Sequence, residues 1–111
     1  MAGDLVYFTI GVQDPERART FFGGLFGWGF STGNMPGGFH IEGTTPAGGL
    51  HGGGVQGVRP YFQVPDVREA AEQVRRLGGW AGAVKGSAAG WYADCRDDQG
   101  TEFSLYAPGS G

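Results

Sequence analysis

At 111 residues the chain holds enough material for one domain with a single core, and too little for two independent ones. A net charge of −3 offers no basic face to a nucleic-acid backbone, and no apolar run approaches membrane-spanning length. The lone cysteine, Cys95, rules out an internal disulfide and suits a reducing compartment, so the cytoplasm is the expected location.

In chain order, the first element is a strand. Over residues 5–13 the even positions Val6, Phe8, Ile10 and Val12 are apolar, and the odd positions Tyr7, Thr9, Gly11 and Gln13 are polar or small. That period of two marks a strand with one buried face. A helix follows at once: Asp14 is an N-cap, Pro15 suits the first helical position, and Ala18, Phe21, Phe22 and Leu25 form an apolar stripe. Three short strands are then predicted near 27–32, 38–44 and 48–54, joined by glycine-bearing turns. They account for much of the chain's 24 glycines, about three times ordinary usage.

The second half repeats this order. Phe62 and Val64 alternate with Tyr61 and Gln63, Asp66 caps a helix with Glu69 three positions on, and Val67, Ala70, Ala71, Val74 and Leu77 form the stripe. Gly78-Gly79 ends that helix, and strands are predicted near 80–85, 90–96 and 101–107. An offset of 52 residues lays Val12 on Val64, Asp14 on Asp66, Leu25 on Leu77 and Gly27-Trp28 on Gly79-Trp80. An ordered set of matches at one offset indicates internal duplication. The expected fold class is therefore α+β: one domain over 1–111, built from two tandem βαβββ modules at about 4–54 and 58–107. Their cupped mixed sheet carries its helices on the outer face.

If each helix covers the apolar side of its sheet, the other side is a pocket rather than a second core. Tyr7, Thr9, Tyr61 and Gln63 fall on it, as do Ser104 and Tyr106, which alternate with Phe103 and Leu105. The pairs His40/Glu42 and Tyr92/Asp94 alternate with Phe39/Ile41 and Trp91/Ala93, a phase that leaves Trp91 open to either face. The glycine runs do not lead from a strand into a helix, so they are not phosphate cradles.

The stretches "VYFTIGVQDPERARTFFGGLFGW", "PYFQVPDVREAAEQVRRLGG" and "DDQGTEFSLYAP" resemble the vicinal oxygen chelate superfamily, which includes glyoxalase I, extradiol dioxygenases and the fosfomycin- and bleomycin-resistance proteins. The resemblance runs from about Leu5 to Pro108 and implies paired modules around a cupped sheet. It also implies, for metal-dependent members, one divalent ion held by His and Glu on the first and last strands of each module. Carried onto this chain, those positions fall at Tyr7, at Arg59, near Gly52 and at Ser104. None is a histidine or carboxylate, and Arg59 repels cations, so no metal and no cofactor are expected.

The reading that follows is a metal-independent binder of an aromatic or cationic, antibiotic-like molecule, similar to bleomycin-resistance proteins. Tyr7, Tyr61, Tyr106 and Trp91 would supply stacking, Glu42 and Asp94 negative charge, and Thr9, Gln63 and Ser104 neutral hydrogen bonds. His40, His51 and Arg59 complete the ligand set. The alternative is a lyase, isomerase or dioxygenase of the same superfamily, with a displaced metal site built from His40, Glu42 and His51. The resemblance further implies a homodimer. Neither nucleic acid nor a membrane is an expected partner.

Overall fold

The computed structural model describes residues 3–33, 37–54, 56–87 and 90–109; the predicted loops around 33–38 and 86–89 lie partly outside them. The elements are β1 (Asp4–Gly11), α1 (Pro15–Phe26), β2 (Gly29–Thr32), β3 (Phe39–Glu42), β4 (Gly48–His51), β5 (Gly57–Gln63), α2 (Val67–Arg76), β6 (Trp80–Ala81), β7 (Lys85–Ser87), β8 (Gly90–Arg96) and β9 (Glu102–Pro108). The class is α+β with mixed strand pairing, as expected from the alternation of short strands and capped helices. The second half holds one strand more than predicted, the three-residue β7 on β8.

The chain forms two compact units, one running from Tyr7 to Arg59 and one joining the residues up to Val6 with those from Pro60 on. In the first the strand order is β2-β3-β4-β1, with β1 and β4 parallel and the others antiparallel. In the second it is β5-β9-β8-β6, with β5 and β9 parallel, and β7 also lies on β8.

Both helices start where the sequence places them. The Asp14 carboxylate accepts the Arg17 N–H at 3.2 Å, and Asp66 accepts those of Arg68 and Glu69 at 2.9 and 3.2 Å, satisfying donors that have no partner within the helix. α2 ends in a Schellman motif: Gly79 N–H donates to the Val74 carbonyl, Gly78 N–H to that of Arg75, and Gly78 takes a positive φ of 94°. A side chain at Gly79 would run into the Arg96 carbonyl, so this stop requires glycine for space as well.

Each unit buries its own apolar cluster. In the first, Ile10, Ala18, Ile41 and Leu50 are buried, with Phe8, Val12, Phe22, Trp28, Phe30 and Phe39 packed around them. In the second, Val67 and Ala71 of α2 meet Ala81, Ala93, Cys95, Leu105 and Ala107. Three predicted stripe residues stay outside: Phe21 is 64% exposed, Leu25 60% and Leu77 70%. Phe21 and Leu25 lie on α1 and Leu77 caps α2, so the apolar stripe of each helix is wider than the part its core covers. At the end of α1, Phe26 lies tilted against Trp28 with 4.8 Å between ring centres and stays 56% exposed.

The turn from β8 to β9 is tied by Asp97, whose carboxylate accepts the N–H groups of Gln99 and Thr101 at 2.8 and 2.9 Å. Those donors, Thr101 foremost, hold its carboxyl below the usual range. The hairpin register set there brings Asp94 opposite Ser104.

Two substitutions measure these terms by chemical denaturation. Leu50→Ala, at a site 2% exposed, is expected to cost about 2–5 kcal/mol. Asp66→Ala, which removes only a cap, should cost about 1 kcal/mol.

Candidate functional site

In each unit the sheet face turned away from the helix collects the polar side chains. In the first unit one cross-strand row reads Thr9, Gly49, His40, Ser31 through β1, β4, β3 and β2. Tyr7, two residues before Thr9, lies on the same face, and its hydroxyl rests over Gly49: a Cβ there would stand 2.6 Å from Tyr7 Oη. Tyr7, Thr9, His40 and Ser31 are all half-buried. Desolvation raises the Tyr7 pKa above its ordinary value of 10.0, so the phenol is a neutral hydrogen-bonding group at physiological pH.

Glu42 lies one row on, exposed and opposite Gly29, with its carboxylate drawn toward β2: Oε1 stands 3.7 Å from where a Gly29 Cβ would be. The His51 ring turns the other way, to within 3.6 Å of the corresponding point on Gly54. His40, Glu42 and His51 therefore point to three different places, and the displaced metal site expected from them is not assembled. Among the described residues no group of three or more His, Cys, Asp or Glu is placed to hold a metal ion.

In the second unit two adjacent rows cross the face. Gln63, Tyr106, Tyr92 and Lys85 form one; Tyr61, Ser104 and Asp94 form the next. Ser104 is completely buried, and its hydroxyl donates to Asp94 Oδ1 at 2.7 Å. Tyr92 and Tyr106 stand directly opposite each other, and the Lys85 ammonium lies 6.0 Å above the Tyr92 ring. Beyond them Arg96 covers Trp80 at 5.0 Å and approaches Glu102 at 3.6 Å.

Trp91 belongs to the other side. It packs on the α2 core, with the Arg68 guanidinium 5.9 Å over its ring, so the place that alternation left open goes to Tyr92. The small apolar side chains of Ala93 and Cys95, both in the core, are the signal that fixes this phase. Ser104 is completely buried, with its hydroxyl turned to Asp94. Arg59 is half-buried on β5, two residues before Tyr61 and four before Gln63, and so shares their side of the strand.

The four positions at which the resemblance places metal ligands do not fit a divalent ion. Tyr7 is a phenol whose ionisation burial makes harder still, Arg59 is a cation, Gly52 has no side chain, and the Ser104 hydroxyl is engaged by Asp94.

No family model and no curated protein matches the chain. Solved structures do. A hypothetical protein from Bacillus halodurans C-125 superposes with a TM-score of 0.76 at 12% identity, over 98% of this chain and 96% of its own. A glyoxalase/bleomycin resistance protein/dioxygenase superfamily member from Vibrio splendidus 12B01 gives 0.68 at 13% identity, over 91% and 96%. The chain has the vicinal oxygen chelate fold. A 2,2',3-trihydroxybiphenyl 1,2-dioxygenase from Sphingomonas wittichii strain RW1 shares that fold with a TM-score of 0.71 at 17% identity, over 99% of this chain. The chain spans only 42% of that dioxygenase's length. Identities this low establish the fold and leave the chemistry to the residues.

Tyr7 offers a direct check on the vicinal oxygen chelate face. Burial raises its folded-state pKa, so its contribution to stability is complete below about pH 10 and fades as pH rises through the folded value. Absorbance titration should show one tyrosine ionising later than an ordinary one, and Tyr7→Phe should remove that phase. The same substitution should lessen the loss of stability above about pH 10.

Proposed function

We propose that the protein binds a small aromatic or cationic molecule without a metal and sequesters it rather than converting it. The observation that carries this reading is the Asp94 carboxylate, anchored by the buried Ser104 hydroxyl at 2.7 Å and neighboured by Tyr92, Tyr106 and Tyr61. An anchored carboxylate attracts a cation with little loss of side-chain freedom, and tyrosine rings add stacking and cation–π contact worth about 0.5–2 kcal/mol. Gln63, beside Tyr106, offers an amide that both donates and accepts. In this reading Ser104 is a positioning residue and Asp94 the charge that the ligand meets. The chain works as a homodimer in the cytoplasm, and sedimentation equilibrium checks the first part of that statement.

The test is a thermal-shift and calorimetric screen of planar aromatic monocations against their neutral isosteres, since a ligand of the native state raises its melting temperature. The cations should bind and the isosteres bind more weakly. Asp94→Asn should weaken binding about tenfold, and Ser104→Ala by less, because the carboxylate stays but loses its anchor. Equal binding of cation and isostere, or an unchanged affinity in Asp94→Asn, would overturn the reading.

A further inference from the structure

Helix α1 shows solvent a face that its own core does not account for. At about 100° per residue, Arg17, Thr20, Phe21, Gly24 and Leu25 fall within about 140° of one another. All five are exposed. Phe21 and Leu25 are large apolar side chains left in water, and the Thr20 hydroxyl is turned back to the Glu16 carbonyl at 3.3 Å. Gly24 stands three residues from Phe21 on the same face. A Cβ there would meet nothing within 4 Å among the described residues, and glycine costs a helix stability wherever alanine would fit. Nothing within the described chain asks for the missing side chain.

A protrusion and a dent three residues apart on one helix fit a second copy of the same face. We propose that α1 is the contact surface between two copies of this chain, packed antiparallel about a two-fold axis, with Phe21 of each seated over Gly24 of the other. In a two-fold contact residue i meets j and j meets i, so one bulge and one notch complete both sides. A foreign partner would need only one of the two shapes. The same axis sets Leu25 of each copy over the shallow recess that Glu16, Arg17, Thr20 and Phe21 line on the other. It also carries Arg17 to the far end of the opposite helix. That end has no basic residue in its last turn, and its terminal carbonyls attract a cation.

Phe21, Leu25 and, at the helix end, Phe26 are each more than half exposed and leave roughly 300 Å² of apolar surface uncovered in each copy. At the apolar share usual for interfaces, a little over half, two such patches make a contact of about 1,000 Å² in total. That is the size of a weak, reversible dimer. The inference rests on the homodimer proposed above and gives it a surface.

Sedimentation equilibrium tests it on wild type, Phe21→Ser, Gly24→Gln and, as the loss of an exposed apolar residue in the other unit, Leu77→Ser. Both α1 positions are exposed, so neither variant disturbs the core. Wild type and Leu77→Ser should show the same monomer–dimer equilibrium, and each α1 variant should raise the dissociation constant at least about tenfold. Gly24→Gln separates an interface role from a structural one, because glutamine is the better helix former. At a concentration where the protein is monomeric its melting temperature should rise, while its dimerisation falls. A monomeric wild type overturns both the surface and the homodimer. A dimer undiminished in Phe21→Ser or in Gly24→Gln, or weakened as much in Leu77→Ser, overturns the surface alone and leaves the homodimer standing.

Discussion

Strand β4 can be crossed on both of its faces because it begins with two glycines. A Cβ on Gly48 would stand 2.5 Å from the Phe8 ring on the core side, and one on Gly49 would stand 2.6 Å from the Tyr7 hydroxyl on the polar side. Two neighbouring residues of β1 thus send large aromatic side chains over β4 in opposite directions. The arrangement holds only in the observed parallel register, with Phe8 opposite Gly48 and Thr9 opposite Gly49. A slip of one residue would put Leu50 on the polar face and leave the core of the first unit without it. The packing of Phe8 in the core and the place of Tyr7 on the polar face therefore depend on the same two missing side chains.

The second unit solves the equivalent problem differently. Its β8 and β9 are seven residues each rather than four, and small side chains at Ala93, Cys95 and Ala107 let α2 come close to the sheet. Ala93 is fully buried on the α2 side of that hairpin, and Ser104 is fully buried on its other face. On that face the Ser104 hydroxyl holds the Asp94 carboxylate at 2.7 Å. One scaffold topology thus presents an acid among tyrosines in one unit and uncharged donors around a glycine in the other. Chemistry on this fold follows from which side chains stand on the free face, and the strand order alone does not determine it.

Much of this was legible in local patterns. The alternation at 5–13, the Asp14-Pro15 and Asp66 caps and the Gly78-Gly79 stop each concern residues within a few positions of one another, where backbone chemistry decides the outcome. Tyr7, Thr9, Tyr61, Gln63, Asp94 and Tyr106 stand on the free faces where a period of two places them. The exposure of Phe21, Leu25 and Leu77 was not legible, because periodicity shows which way a side chain faces and not whether a strand lies beneath it. Nor was β7, since the segment holding Lys85 and Gly86 has no apolar alternation of its own and is a strand only because β8 offers it an edge.

The sequence by itself determined the class of fold, the starts of both helices, the end of the second, and the absence of histidine and carboxylate at the four positions where the resemblance would place metal ligands. Those are properties of residue identity and near-neighbour spacing. Tertiary structure alone decided that Trp91 faces the core, that Ser104 is sealed beneath Asp94, that His40, Glu42 and His51 diverge, and that Gly49 makes room for Tyr7. Each of these turns on the register between strands distant in sequence. That register is settled by the fit of side chains across the sheet, which no single segment contains.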